Sequence, residues 1–295
     1  METIFFTLIV LFSFATSAPT NDYENFITQT IEFDVDKLKS EISFDKSRRI
    51  INGNPANDNQ FPFVGEVTVR WRDGSTTYCT CSLIATDWVI SSRSCIVNDL
   101  QSEVATLITT AFGSSSRTGQ RTNAYVIWAT WKEGTGGAPH PDFSLLRLAV
   151  NLPLSSTIAT VQLPRRDQID ERFQMSAVVI AGWGDIDTAG TRATTLQWAE
   201  YINTTPFECT ADLVLGTTRY HFCSSPINVN TNLRSGDFGG PVLLYENGQN
   251  MPPTLIGIAS TTGLSLSNFV DYALSTHLGQ FLEFIMTTTQ IPWRN

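Results

Sequence analysis

Cysteine and histidine are the residue types in this chain best suited to chemistry, and their spacing limits what that chemistry is. The cysteines are Cys79, Cys81, Cys95, Cys209 and Cys223. No pair has C-x-x-C spacing and the histidines at 140, 221 and 277 are scattered, so we expect no metal site and no cofactor. In an oxidising compartment, five cysteines indicate two disulfides and one odd thiol.

The N-terminus has the pattern of a leader peptide. An apolar run over residues 4–14 precedes the small residues Ala15, Ser17 and Ala18, which predicts a signal peptide at 1–17 and a secreted, extracellular protein. A transmembrane anchor is the rival interpretation. A membrane span needs about 18 or more apolar residues, so no membrane association is expected.

Residues 18–49 differ in composition from the rest of the chain. They are polar, somewhat acidic and free of cysteine, and they end in Arg48-Arg49 immediately before Ile50. We interpret 18–49 as a propeptide, with one domain over 50–295. The alternative is a disordered or loosely helical N-terminal arm that has the same boundary.

Two features concern the surface. Asn203-Thr204-Thr205 is an N-glycosylation acceptor sequence, which fits a surface loop in a secreted protein. The formal net charge of -9 argues against a surface that binds polyanions, so nucleic acid is not expected as a partner.

These residues must be positioned by a β-rich body. From residue 50 onward, apolar runs such as FVGEVTVRW, NAYVIWATW and SAVVIAGW alternate with turns rich in Gly, Pro, Asn, Asp and Ser, which indicates an antiparallel barrel or sandwich. Near the C-terminus, Leu278, Phe281, Leu282 and Ile285 recur with helical spacing and predict one amphipathic helix.

Seven motifs in this β-rich part resemble, in order, those of the trypsin/chymotrypsin family of serine proteases. The resemblance covers residues 50 to 285. The motifs are I-I-N-G at 50–53, C-T-C-S-L-I at 79–84, W-V-I-S-S-R-S-C at 88–95, D-F-S-L-L at 142–146, A-G-W-G at 181–184, G-D-F-G-G-P at 236–241 and the strand 256–260.

The resemblance implies an all-β fold of two perpendicular six-stranded antiparallel barrels followed by a C-terminal helix. It also implies two disulfides, one joining Cys79 to Cys95 and one joining Cys209 to Cys223. Cys81 stands at a family glycine position. It is either a buried thiol or an intermolecular disulfide link.

Peptide hydrolysis in this family uses a serine hydroxyl, a histidine imidazole and an aspartate that orients the imidazole. The resemblance places Ser94 at the histidine position, Asp142 at the aspartate position and Phe238 at the serine position. Phenylalanine has no nucleophilic atom, and a serine hydroxyl is not a base near neutral pH. The motifs therefore predict a serine protease homologue without enzyme activity, a pseudoprotease.

The surroundings of the triad positions lead to further expectations. The backbone amides of Gly236 and Phe238 are expected as the remnant of an oxyanion hole. His140 lies two residues before Asp142, but we expect a surface histidine there. At the specificity pocket, the resemblance places Asn232, Thr262 and Ala273, which together with the bulk of Phe238 narrow or fill the cavity.

The activation switch of the family is retained in the sequence. Cleavage after Arg49 would free the α-amine of Ile50 to pair with Asp237, the residue before Phe238. The hypothesis is that this cut switches a binding surface. The alternative is a remnant of ancestry that serves folding.

The leading prediction for function is a secreted homologue that acts by binding a protein partner, as a cofactor or decoy in an extracellular protease cascade. Two alternatives stay open. The first is an active secreted serine endopeptidase, which the similarity of the whole domain favours. The second is a structural or storage protein.

Overall fold

The computed structural model describes residues 26–33, 53–134, 141–185, 190–204, 220–228, 231, 233–246, 251–264 and 271–294. Strands dominate these residues. In chain order they are β1 (Phe26–Glu32), β2 (Asn54–Pro55), β3 (Val64–Arg70), β4 (Thr76–Ala85), β5 (Trp88–Ser91), β6 (Val97–Asn98), β7 (Glu103–Val104), β8 (Leu107–Phe112), β9 (Thr122–Gly134), β10 (Ser144–Leu148), β11 (Ala177–Gly182), β12 (Gln197–Asn203), β13 (His221–Pro226), β14 (Pro241–Leu244), β15 (Thr254–Leu264) and β16 (Asp271–His277).

Two closed antiparallel barrels result from the pairing of these strands. The first follows the order β9-β10-β5-β4-β3-β8 and closes through β8 and β9. The second follows β11-β14-β15-β16-β13-β12 and closes through β11 and β12. Each ring has six strands, so the predicted architecture of two six-stranded barrels is confirmed.

Apolar side chains that alternate along the strands fill both barrels. In β3, Val67 and Val69 have no exposed surface, while Thr68 between them is partly exposed. This two-residue period is what lets a strand contribute one face to a core. The β-rich runs seen in the sequence therefore lie in the strands that the pattern predicted.

The predicted C-terminal helix is present and starts with a tighter turn. Leu278–Phe281 form a 3₁₀ turn, and α1 (Leu282–Thr289) continues from it. Leu282 and Ile285 have no exposed surface, so the apolar stripe faces the barrels.

Each barrel carries one additional strand at its edge. The two-residue β2 pairs with Gln197 and Trp198 of β12. β1 pairs with β9 along its whole length, although the composition of residues 18–49 predicted a propeptide or a disordered or loosely helical arm. The β-branched residues Ile27, Thr28, Thr30 and Ile31 favour an extended backbone, and the free edge of β9 supplies the partner.

Over the part of the chain that the structure describes, no helix is both long and apolar enough to span a bilayer.

Candidate functional site

The carboxylate of Asp142 lies at the centre of a group of hydroxyls. The backbone N–H of Ser94 donates to Oδ1 at 2.6 Å, and the Ser94 hydroxyl donates to Oδ2 at 2.9 Å. The Ser260 hydroxyl also donates to Oδ2, at 2.6 Å. Burial raises the pKa of Asp142, although these three hydrogen bonds act in the opposite direction.

Strand register brings these residues together. Ser94 follows the end of β5, and Asp142 lies just before the start of β10. Ser91 of β5 is opposite Ser144 of β10, so the two loops leave the same end of the first barrel. Ser260 lies on β15, and its contact with Asp142 therefore joins the second barrel to the first.

Phe238 lies in the turn that precedes β14. Its side chain is half-buried against the main hydrophobic core, and its carbonyl accepts a hydrogen bond of 3.0 Å from the N–H of Thr80. The following residue, Gly239, has φ = +84°, and a Cβ there would lie 2.2 Å from the Thr80 carbonyl oxygen. The turn therefore needs glycine at 239. The oxyanion role of the amides of Gly236 and Phe238 stays a prediction.

Asp237 is fully buried next to Phe238. Its Oδ1 accepts from the N–H of Gly184 at 2.7 Å, and its Oδ2 accepts from the N–H of Arg234 at 2.9 Å. Desolvation nevertheless raises the pKa of this carboxyl to about 7. A Cβ on Gly184 would lie 2.4 Å from the carboxyl carbon, which explains the glycine in A-G-W-G.

The predicted partners of Asp237, Arg49 and Ile50, lie outside the described residues. Asn232, at the predicted pocket, lies outside them too. The backbone of Thr262 on β15 is opposite that of Ala273 on β16, and Ala273 is buried. The structure thus places two of the three predicted pocket residues next to each other.

The described histidines belong to the second barrel and do not bond to Asp142. His221 lies on β13, where burial and the nearby Arg172 lower its pKa to about 4. His277 ends β16, and its Nε2 lies 2.8 Å from the carbonyl oxygen of Glu171. His140 lies outside the described residues. Among the residues that are described, no three His, Cys, Asp or Glu side chains are grouped to hold a metal ion.

One of the two expected disulfides, Cys79 to Cys95, lies within the described residues. Cys79 and Cys95 form a disulfide between β4 and the loop after β5, with Cα atoms 6.2 Å apart. Cys223 is disulfide-bonded, and its expected partner Cys209 lies outside the described residues. Cys81 is a free thiol without exposed surface, and burial raises its pKa. This position agrees with the buried-thiol alternative.

The expected surface position of Asn203 is wrong. Asn203 is the last residue of β12 and has no exposed surface. Its Oδ1 accepts a hydrogen bond of 2.6 Å from the Ser224 hydroxyl. The acceptor sequence fits a surface loop, but strand pairing with β13 extends through Asn203. Its glycosylation stays a prediction.

The sequence does not predict the contributions of three residues. Ser260 and Thr80 lie within the matched motifs at 256–260 and 79–84, but nothing in those motifs indicates their hydrogen bonds. Glu66 was visible as a lone acid within the apolar run FVGEVTVRW. A charge in an otherwise buried strand requires partners, which was the available signal. The partners are far away in sequence and could not be named.

Comparisons with known proteins identify the family. The sequence model described as Trypsin matches residues 50–285. The chain belongs to this family. It is 27% identical to human chymotrypsin-like elastase family member 1 over 229 residues, which is 74% of this chain and 84% of the relative. It is 28% identical to serine protease SP24D of Anopheles gambiae, over 79% of this chain and 83% of the relative.

Two further comparisons agree. Fibrinolytic enzyme isozyme C of Lumbricus rubellus is 25% identical over 72% of this chain and 86% of the relative. The solved structure of HL collagenase superposes with a TM-score of 0.68 at 18% identity, over 83% of this chain and all of that one. At this identity the structural match establishes the fold alone, which is chymotrypsin-like.

These comparisons overturn one prediction. The motifs around Ser94 and Phe238 predicted a chain without enzyme activity, but the matched relatives are named as an elastase, a serine protease and a fibrinolytic enzyme. The prediction was wrong because it weighed two positions, Ser94 and Phe238, above the similarity of the whole domain.

Proposed function

We propose that this protein is a secreted serine endopeptidase of the trypsin family that acts on extracellular polypeptides. The observation that carries the proposal is the match of the family over residues 50–285, together with relatives that are named as proteases. The expected signal peptide at 1–17 supports secretion. The expected cut after Arg49 would produce the mature domain.

The hydrolytic chemistry has to use the groups that the site contains. Neither an imidazole at 94 nor a hydroxyl at 238 is available, since Ser94 and Phe238 stand there. Ser94 has an exposed side chain whose hydroxyl donates to Asp142. Because burial raises the pKa of Asp142, this carboxylate is a stronger base than an ordinary one.

The candidate reaction therefore starts from the Ser94 and Asp142 pair. The Ser94 oxygen forms a bond to the peptide carbonyl carbon as Asp142 takes the hydroxyl proton. When the C–N bond breaks, the amine leaves with that proton. Water then attacks the ester carbonyl carbon as Asp142 takes a proton from it. When the C–O bond to Ser94 breaks, Asp142 returns that proton to the serine oxygen, which restores the hydroxyl and releases the acid.

The test is turnover by the natural chain. The secreted protein is cut after Arg49 with a trypsin-like protease that is then removed, and kcat/KM is measured on a panel of peptides. A serine-directed fluorophosphonate probe locates the nucleophile by mass spectrometry. We expect turnover, labelling at Ser94, and a loss of about 100-fold or more in Asp142→Asn and Ser94→Ala. Ser235→Ala, an exposed serine near the site, is the matched control and should keep full activity.

A second variant shows whether the fold of this domain can support catalysis. The double substitution Ser94→His, Phe238→Ser supplies the imidazole and hydroxyl that the family uses. Silence of the natural chain together with turnover by this variant would overturn the proposal. If the natural chain turns over substrate and Ser94→Ala does so equally well, the protein is an endopeptidase but Ser94 is not its nucleophile.

The second candidate function is binding of a protein partner in an extracellular protease system, as a cofactor or decoy that the cut after Arg49 switches. The identities of Ser94 and Phe238 favour it, because the half-buried Phe238 ring offers apolar contact surface next to the cleft. Pull-down from the secreted fluid with cut and uncut protein tests it. A partner retained by the cut form alone, and lost in Phe238→Ser, is the expected result.

A further inference from the structure

β1 belongs to the segment expected to be a propeptide, yet it is a regular part of the first barrel's sheet. Seven consecutive residue pairs join it to β9, from Phe26 opposite Gly134 to Glu32 opposite Trp128. Phe33 extends the pairing, because its N–H donates to the carbonyl of Ile127 at 2.9 Å. Antiparallel addition of a peptide to a sheet edge is a common mode of peptide binding.

Aromatic contacts fix the start of β1. The ring of Phe26 is buried, with its centroid 4.8 Å from that of Tyr220 and 5.8 Å from that of Phe281. Tyr220 and Phe281 are also in contact, at 5.5 Å. Tyr220 precedes β13 and Phe281 precedes α1, so Phe26 contacts the C-terminal half of the protein while its backbone pairs with the N-terminal barrel. We call Tyr220 and Phe281 the aromatic socket.

Other contacts set the register and the far end. The Thr130 hydroxyl donates to the Gln29 carbonyl at 2.7 Å, and Lys132 Nζ donates to the Thr28 hydroxyl at 2.8 Å. At the far end, Phe33 is buried in the main core, and Ile31 packs against that core. A one-residue slip of β1 along β9 would move Phe26 out of the aromatic socket and Phe33 out of the main core. A single register is therefore specified.

The chain offers nothing covalent to hold this strand after a cut. The first cysteine is Cys79, so no disulfide can join residues before Ile50 to the domain. The segment 26–33 contains no Lys or Arg, so a protease that cuts after the basic residues between 37 and 49 leaves β1 whole. Cleavage there would break the covalent connection between this strand and the domain without removing any residue of the strand.

We propose that the edge of β9 and the aromatic socket form a binding site for an extended peptide, and that its occupant is the chain's own segment 26–33, which stays bound after cleavage. The mature protein is then a two-chain, non-covalent complex. This inference rests on the cut after Arg49 that the proposed function includes. It does not depend on whether this protein itself hydrolyses peptides.

The test is retention of the segment. The protein is cut with a trypsin-like protease, Ile50 is verified as a new N-terminus, and the product is analysed by gel filtration and native mass spectrometry. We expect one complex that contains the peptide bearing 26–33, which separates from the domain only in denaturant. Elution of a folded domain without this peptide would overturn the proposal.

Two variants on neighbouring positions identify the anchor. Phe26→Ala removes the ring from the aromatic socket, and we expect the cut peptide to dissociate at least about 30-fold more readily because buried aromatic anchors dominate such interfaces. Ile27→Ala changes a half-exposed side chain on the same strand and should leave retention unchanged. Equal effects of the two substitutions would contradict the assigned socket.

Hydrogen exchange on the uncut protein tests the pairing of segment 26–33 with β9 without any cleavage. The amides of residues 26–33 should exchange more slowly than the unfolded chain by about 100-fold or more, as expected for a paired strand. Rapid exchange there in a folded protein would overturn the proposal even if Arg49 resists cleavage. Turnover is measured separately, so loss of retention and loss of activity are distinct outcomes.

Discussion

Asp237 is a buried carboxyl group that lacks a cation among its described contacts. Two backbone amides bind it, and its pKa is raised to about 7 from an ordinary value of 3.8. In the unfolded chain this group ionises near pH 4, whereas in the folded chain it keeps its proton up to about pH 7. The folded state therefore loses stability as pH rises from about 4 to about 7, and the loss is complete above that.

The substitution Asp237→Asn tests this behaviour in the uncut chain. Relative to the parent, the variant should gain about 2 to 4 kcal/mol of unfolding free energy between pH 4 and pH 8, because only the parent carries the buried ionisation. Urea unfolding at both pH values gives the difference. A difference that does not change with pH would contradict the raised pKa.

Cutting after Arg49 provides a second comparison on the same residue. If the freed amine of Ile50 pairs with Asp237, the positive charge favours the ionised form of Asp237 in the folded protein. The free energy of unfolding then no longer falls as pH rises. The pH dependence measured before and after cleavage thus reports on the switch without any activity assay. An unchanged dependence in verified cut protein would argue against the pairing.

Cys81 leads to a prediction about reactivity. The thiolate is the reactive form, and this thiol is fully buried with a raised pKa. We expect no reaction with Ellman's reagent at pH 8 in the folded protein and reaction after unfolding in urea. Thr77→Cys, on an exposed position of the same strand, should react in the folded protein. A disulfide-linked dimer that is lost when Cys81 is replaced would show instead that Cys81 forms an intermolecular disulfide.

At the scale of elements, Glu66 ties β3 to loops of both barrels. Its carboxylate accepts from Arg117 at 2.5 Å, from Arg121 at 2.8 Å and from Arg192. Arg117 also donates to the carbonyl of Trp183 at 2.9 Å, just after β11. Burial acts to raise the pKa of Glu66, yet the three guanidinium groups hold it below its usual value.

Removing this charge should be strongly destabilising. Glu66→Gln leaves three guanidinium groups near a neutral side chain, and we expect a loss of about 3 to 5 kcal/mol in unfolding free energy. Glu283→Gln, on an exposed position of α1, is the control and should change stability by less than about 0.5 kcal/mol. Because the pKa of Glu66 is lowered, its contribution is complete above about pH 4.5 and is lost as pH falls below that.

The strands were predictable to different degrees. β3, β9 and β11 carry long apolar patterns, and both closed barrels follow from motifs that lie in family order. β1 was missed because the polar composition of residues 18–49 outweighed a short extended pattern. Its stability comes from β9 and Phe281, which are distant in sequence. Local sequence indicated the propensity of this segment but not the edge that it would occupy.

The site was predictable where local motifs contain its residues, and not where its contacts join residues that are distant in sequence. Asp142 and Ser94 could be placed from their motifs, and they are in contact. Ser260 and Thr80 contribute hydrogen bonds across more than 100 residues of chain, which no local pattern encodes. Asn203 shows the opposite error, since a local motif indicated a surface loop where pairing with β13 buries the side chain.

At the scale of the whole molecule, the buried hydroxyl of Thr80 joins the two barrels. Thr80 is fully buried on β4 of the first barrel. Its hydroxyl donates to the carbonyl of Gly236 at 2.7 Å and accepts from the N–H of Trp183 at 2.9 Å. Both partners belong to the second half of the chain, so the seam between the barrels is polar and hydrogen-bonded at this point.

This seam should make the two barrels unfold together. Thr80→Val keeps the shape of the side chain but leaves the Gly236 carbonyl and the Trp183 amide unpaired, which costs about 2 to 4 kcal/mol. Thr76→Val, on an exposed position of β4, is the matched control and should have little effect. Calorimetry should show one transition in the parent and in the control, and either a lower single transition or two separate ones in Thr80→Val. An unchanged transition would mean that the hydrogen bonds of the Thr80 hydroxyl do not couple the unfolding of the two barrels.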